Sequence, residues 1–491
     1  MGMQKPADMF DRDREWELLG RFIEDERQGA SLGVVSGRRR QGKSFLLEAA
    51  CEEADGFYFS AQEATEAESL SLIGAALTSF LDPVVPFTPS TWDQVIDVLL
   101  RMGRERSIPV VLDGFPYLAR VSPSLPSVIQ NAYAPRRRER TASRTRLLLC
   151  GSAMSFMGSL LSGNAPLRGR ASLDMTVQTL DYRLAAQFWE LPDPNLAFPV
   201  YAVVGGTPAY RTEMIRYDAP RDETDFDDWV VRTILSPGSP MFMEARYLLA
   251  EEPDLRDPAL YHSVLAAIAE GKTIRGAIAN HIGRKTNDLG HPLNVLEDAG
   301  LIRREGDAFQ ANRSHFQISE PLLSFYHVMM RPFWPQLTRA VGTDRIWKRE
   351  RQRFAANILG PRFEELCREW VLRFAGDRFG GWPAQVSPGI VNDPQLKKTQ
   401  QVDVAVVGHA EKGQPPLLAL GETKWNEVMG IEHLERLIRV RDLVSGLKKY
   451  DTTRTRLVCF SGAGFTVSLT EAAADGKVDL VGLDDLYGAN D

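Results

Sequence analysis

The chain has 491 residues, 44% of them hydrophobic and 25% charged, with a formal charge of −7. That length exceeds what one hydrophobic core supports, and the composition is that of a folded protein of two to four domains. The net acidity excludes a basic coat over nucleic acid, so any nucleic-acid contact has to come from local patches.

No apolar run is long enough to span a bilayer, and residues 1–11 are polar, without the apolar stretch of a secretion signal. A cytoplasmic location is the expectation. Cys51, Cys150, Cys367 and Cys459 form no C-x-x-C pair and sit in apolar or helical stretches. They are expected to be reduced packing residues, with no zinc site.

In chain order, residues 14–29 predict an amphipathic helix with Trp16, Leu18, Leu19, Phe22 and Ile23 on one side. A buried strand at Ser31–Ser36 leads through a glycine-rich turn into a helix from Lys43. Strands at Phe57–Phe59, Ile108–Asp113 and Thr145–Cys150 alternate with helices at 66–80 and 92–106. Short apolar strands alternating with helices imply a parallel sheet covered on both faces. The stretch 135–146 carries six arginines and is expected to be a solvated loop between two core elements. Residues 180–250 lose the strand pattern and look helical.

From 258 onward, helices at Leu260–Ala269, from Thr273 to His281 and from Thr286 to Gly300 precede a strand at Leu301–Glu305, a Gly306-Asp307 turn and a return strand at Phe309–Gln310. Three helices and a two-stranded wing make the winged-helix pattern. Residues 316–340 are expected to pack beneath it as helix, and the charged stretch Asp344–Arg353 to be a linker. The last segment alternates again, with a helix at 361–375, strands at Gln401–Val407 and Leu417–Trp425, a helix at 429–447 and a strand at Thr455–Phe460. The expected domains are a parallel-sheet core (1–180), a helical lid (181–255), a winged helix (256–343) and a C-terminal α/β domain (344–491).

Gly37-Arg38-Arg39-Arg40-Gln41-Gly42-Lys43-Ser44 fits G-x-x-x-x-G-K-[ST] at every fixed position. Backbone N–H groups of such a loop turn inward around phosphate oxygens, and the helix that follows adds its positive N-terminal end. The expected ligand is ATP with Mg²⁺, with Lys43 reaching the β- and γ-phosphates and Ser44 holding the cation. Asp113 ends a buried strand at the place of a second cation-orienting carboxylate.

With these motifs the chain resembles AAA-type ATPases of the STAND-like branch, which carry a winged helix and a C-terminal restriction-endonuclease-like domain. Phe10-Asp11-Arg12 with Glu15 is similar to the motif before the family's core, Ser152 after Gly151 to its sensor position, and Leu167-Arg168-Gly169-Arg170 to its Gly-Arg motif. Gly205-Gly206-Thr207-Pro208-Ala209-Tyr210 is similar to its Gly-Gly-x-Pro-x-Tyr turn. The resemblance implies that Ser152, Arg168 and Arg170 face the nucleotide, the arginines in trans if subunits form a ring. It also exposes a departure. The glutamate expected after Asp113 is Gly114, which implies binding with slow or absent hydrolysis and ATP as a switch ligand.

The third helix of the winged-helix pattern carries Asp288, Glu297 and Asp298, with Arg284 and Lys285 only at its start. DNA contact through Arg303 and Arg304 and a purely interdomain role both stay open. In the C-terminal segment, Glu422 and Lys424 share one face of a strand, and a hairpin would bring Asp403 beside Glu422. Glu364 on the helix upstream, Asp403, Glu422 and Lys424 resemble the PD-(D/E)xK nuclease pattern. That resemblance implies Mg²⁺ at Asp403 and Glu422, Lys424 stabilising hydroxide or phosphorane charge, and DNA as the substrate. A nuclease-like fold kept for binding DNA or for assembly is the alternative.

Overall fold

Apolar strands that must be covered on both faces assemble in parallel, and the first part of the chain does so. The computed structural model describes residues 2–250, 257–410 and 413–488. In it, Ser31–Ser36 (β1), Phe57–Ser60 (β2), Ile108–Asp113 (β3), Thr145–Gly151 (β4) and Ala171–Thr176 (β5) form one sheet in the order β2-β3-β4-β1-β5. Every neighbouring pair is parallel. β5 is the strand the sequence pattern misses. It lies at the sheet edge and mixes exposed and half-buried residues, so it lacks the continuous apolar run of its neighbours.

The arginine-rich stretch is exposed or half-buried through Ala142, as expected of a solvated connection, and becomes mostly buried from Ser143 on. It holds a short helix, Arg138–Thr141, and leads into β4. Arg137 pairs with Asp97 and Glu139, and Arg144 with Glu26. Arg146 is buried and donates to the carbonyls of Asp25, Arg27 and Gly29. Arg144 and Arg146 thus tie the stretch to the foot of the sheet, while Arg136 and Arg138 stay exposed.

Residues 182–250 are helical, as expected. Helices Pro258–Ala269, Arg275–Ile282 and Gly290–Asp298 are followed by an antiparallel ribbon of Ile302–Gly306 (β6) and Ser314–Ile318 (β7). The return strand is therefore not Phe309–Gln310. Asp307 accepts from the amides of Phe309, Gln310 and Ile390, which turns the chain and directs Phe309 outward. The Phe309 ring enters the core of the C-terminal sheet beside Val391 and Val402, and Gly389 has no side chain to obstruct it: a Cβ there would lie 2.5 Å from the ring. Ala308 N donates to Pro388 O at 2.9 Å, and Tyr450 OH donates to Ala308 O.

Asp344–Arg353 is not a linker. It lies within a helix, Thr343–Phe354, that runs on through a wide turn at Ala355–Leu359 into a helix at Gly360–Arg373. Its charged residues are strong helix formers, and the buried Trp347 and Phe354, seven positions apart, share one face. Both join a hydrophobic cluster that also contains Tyr182, Trp229, Phe325 and Phe363 together with Val404 and Phe460 of the C-terminal sheet. One core thus crosses the expected boundaries at 255 and 343.

The C-terminal sheet contains Pro383–Asp393 (β8), Lys398–Gly408 (β9), Leu417–Lys424 (β10), Arg456–Ser461 (β11) and Asp479–Val481 (β12), in the order β12-β11-β10-β9-β8. The pairs β8/β9 and β9/β10 are antiparallel, whereas β10/β11 and β11/β12 are parallel. Helix Ile431–Gly446 makes the crossover from β10 to β11 and covers one face through Leu434, Leu437 and Val440. Helix Gly360–Arg373 covers the other through Phe363, Trp370 and Val371. The four cysteines are buried and free. Among the described residues no helix is long and apolar enough to cross a membrane.

Phe309 is 4% exposed, so Phe309→Ala removes a buried ring from a packed seam. The expected cost is about 3–5 kcal/mol in urea unfolding, together with new protease cleavage at the ribbon tip. Unchanged stability would show that the seam is loose.

Candidate functional site

The loop Gly37–Gly42 joins β1 to helix Lys43–Glu53, and both end glycines hold left-handed backbone, with φ 150° at Gly37 and 86° at Gly42. Lys43 Nζ donates to Arg38 O at 2.7 Å, so the buried ammonium lies back across the loop. Ser44 Oγ donates to Asp113 Oδ2 at 2.6 Å. These are the two groups expected to share a cation, and the sheet brings them together because β3 and β1 flank β4. Tyr58 OH also donates to Asp113 Oδ2, at 2.7 Å, and Gly114 N to Oδ1, at 2.8 Å. Burial alone would raise the Asp113 carboxyl. The donors Ser44, Tyr58, Cys150 and Gly114 outweigh it and hold the carboxyl below its ordinary value.

Ser36 pairs with Gly151, which leaves Ser152 one residue beyond the loop's own strand end. Arg12 Nη2 donates to Gln41 O at 3.1 Å and its Nη1 lies 3.3 Å from Glu15, so the Phe10-Asp11-Arg12 motif braces the loop. Arg168 is exposed and turns back on its own loop, donating to Gly163 O at 2.6 Å. Arg170 is half-buried at the foot of β5.

The loop's own arginines reach further than expected. Arg38 lies 2.7 Å from Glu320, and Arg40 pairs with Glu244. Glu320 caps helix Pro321–Phe325 directly after β7 and is 2% exposed; Glu244 lies in helix Pro240–Ala250 and is 0% exposed. A buried carboxylate needs a partner, and here each partner is a loop arginine. The sequence signal for Glu244 was a charge, followed by Arg246, inside an otherwise apolar run.

The C-terminal residues also converge. Asp403 Oδ2 accepts from Thr423 N at 3.0 Å and Thr423 Oγ1 at 3.2 Å, which ties the end of β10 to β9. Lys424 Nζ donates to Glu422 Oε1 at 2.8 Å, and Arg436 donates to the same oxygen. Among the described residues, the buried Glu422 Oε2 has no hydrogen-bond partner. The Glu422 carboxyl is raised, first by burial and then by Asp403. Glu364 is raised by partial burial and by the same Asp403. A carboxyl raised by burial and a neighbouring carboxylate is what a bound cation relieves. Among the described residues no group of three or more His, Cys, Asp or Glu side chains gathers as a metal site. The donor set is the pair Asp403 and Glu422, with one oxygen of Glu422 unused. Arg436 and Arg368 were missed. Arg368 lies one helical turn after Glu364, a spacing that could have pointed to it.

Arg303 is half-buried and Arg304 exposed. Arg303 pairs with Glu305 and with Glu365 of helix Gly360–Arg373, and Arg304 with Glu297. The ribbon's charges are thus paired within the chain.

No family model matches the chain. It is 24% identical over 365 residues to the uncharacterized protein MJECL04 of Methanocaldococcus jannaschii, across 73% of this chain and 77% of that one. Among solved structures it is similar to the Walker-type ATPase PABY2304 of Pyrococcus abyssi, with a TM-score of 0.51 and 20% identity over 67% of this chain and 98% of that one. The parallel sheet has the fold of a Walker-type ATPase. The ORC2 protein of Aeropyrum pernix aligns with a TM-score of 0.42 and 14% identity, over 71% of this chain and 97% of that one.

Within that fold Gly114 is more than a missing carboxylate. Its φ is 74°, and a Cβ would lie 3.0 Å from Ala61 O. Gly114→Glu is therefore expected to destabilise by about 1–2 kcal/mol, read as a lowered melting temperature, without creating brisk phosphate release. A stable variant with fast turnover would mean that this backbone adapts to a glutamate.

Proposed function

We propose that the chain binds ATP as a switch ligand and couples its nucleotide state to a metal-dependent, nuclease-like C-terminal domain that acts on DNA. The observation that carries the nucleotide half is the bond from Ser44 to Asp113 beneath a loop already closed by Lys43. Gly37–Ser44 would cradle the phosphates of Mg·ATP, with Lys43 on the β- and γ-phosphates and Ser44 and Asp113 on the cation. Gly114 leaves the attacking water without its usual base, which supports slow or absent hydrolysis. The three helices and ribbon then serve as a winged helix turned to interdomain use, since Phe309 and Arg303 are committed to the neighbouring domain.

For the C-terminal half the support is the meeting of Glu364, Asp403 from the middle of β9, and Glu422 and Lys424 from the end of β10, with a spare buried oxygen on Glu422. Asp403 and Glu422 would hold a divalent cation, whose chemistry there is to acidify a bound water and polarise a phosphodiester. Lys424 would neutralise charge developing on the phosphorus. Glu364 would orient the site from the helix side.

In calorimetry with Mg·ATP the wild type is expected to bind, and Lys43→Ala to weaken binding at least about tenfold, or 1.4 kcal/mol, with little phosphate release from either. With Mg²⁺ and linear, supercoiled or single-stranded DNA, cleavage is expected from the wild type and not from Lys424→Ala. Intact DNA under every condition, with and without ATP, would leave the C-terminal domain as a binding or assembly module.

A further inference from the structure

We infer that Arg368 is a positioning residue of the C-terminal acidic cluster, and that Glu305 of the β6–β7 ribbon holds it in place. The functional meaning rests on the nuclease reading above, whereas the geometry stands without it. Arg368 is 3% exposed and lies on the same helix as Glu364. Its Nη1 donates to the main-chain carbonyl of Asp403 at 3.0 Å and lies 4.0 Å from Glu364 Oε2. Its Nη2 lies 3.3 Å from Glu305 Oε2. One buried guanidinium therefore touches two of the four cluster residues and the ribbon at once.

A second arginine repeats the arrangement from the other face of the sheet. Arg436, on helix Ile431–Gly446, donates to Gln401 O at 2.7 Å and also to Glu422 Oε1. Two alternate carbonyls of β9 are thus each fixed by an arginine from a different covering helix. Burying a guanidinium is expensive, and an apolar side chain of similar volume would pack the same seam at no less stability. What an apolar residue cannot supply is the hydrogen bond that sets the height of Asp403 against Thr423 N, its partner at 3.0 Å. Glu305 has a second cation, Arg303 at 3.0 Å, so removing Arg368 does not leave that carboxylate alone.

The test is hydrogen exchange on the full-length protein at the Thr423 amide, which donates to the Asp403 side chain and reports that carboxylate's position without any ligand. Arg368→Gln should accelerate exchange there about tenfold, the equivalent of one lost hydrogen bond, with the rest of β8–β12 unchanged. Glu305→Gln should accelerate the same amide by less, and Arg368→Lys should restore most of the protection. Titration with Mn²⁺ should show affinity falling in the same order. Unchanged Thr423 exchange in Arg368→Gln, or acceleration spread evenly over all five strands, would overturn the inference by making Arg368 an ordinary packing residue. If Arg368→Gln does not fold, Glu305→Gln decides by the same amide. A wild type that protects Thr423 as expected but cleaves no DNA would sink the nuclease reading and leave the positioning role standing.

Discussion

A carboxylate taken out of water has to meet a cation, and in this chain that requirement fastens the phosphate loop to two distant segments. Glu244 and Glu320 are buried, and their partners are Arg40 and Arg38 of the loop. Breaking such a pair from one side typically costs about 3–5 kcal/mol, because the remaining charge stays buried. The loop therefore cannot change its charge balance without consequence for helix Pro240–Ala250 or for the helix that begins at Pro321. In the proposed function this is how phosphate bound in the loop is felt elsewhere.

From Glu320 the connection continues through covalent and packed structure. Glu320 follows β7, β7 pairs with β6, and β6 carries Arg303 and Glu305 to the helix that bears Glu364. The ribbon tip is plugged by Phe309 into the C-terminal sheet. The three-helix unit and its ribbon thus form a joint between two α/β units. The shared hydrophobic cluster that runs from Tyr182 to Leu486 makes that joint stiff.

Much of this was legible in the sequence where local rules decide. The loop, the strand ending in Asp113 and the pairing of Glu422 with Lys424 follow from spacing and strand alternation. The edge strand β5 was not legible, because an edge needs no apolar run. Asp344–Arg353 looked like a linker because charge dominates its composition, although Trp347 and Phe354 mark a buried face seven residues apart. Long-range pairs were the real blind spot. Nothing near Arg38, Arg40, Arg303 or Arg368 indicates that their partners lie at Glu320, Glu244, Glu365 and Glu305, since those pairings exist only once the domains have docked.

In the proposed function, Gly114 belongs to a nucleotide site that holds more than it turns over. The most direct measurement is calorimetric binding of Mg·ATP to the wild type and to Glu320→Gln. If phosphate and Glu320 share the charge of Arg38, neutralising Glu320 frees that arginine and tightens nucleotide binding. Equal affinity in the two proteins would contradict the link, and would reduce the Arg38–Glu320 pair to a packing contact without a part in the switch.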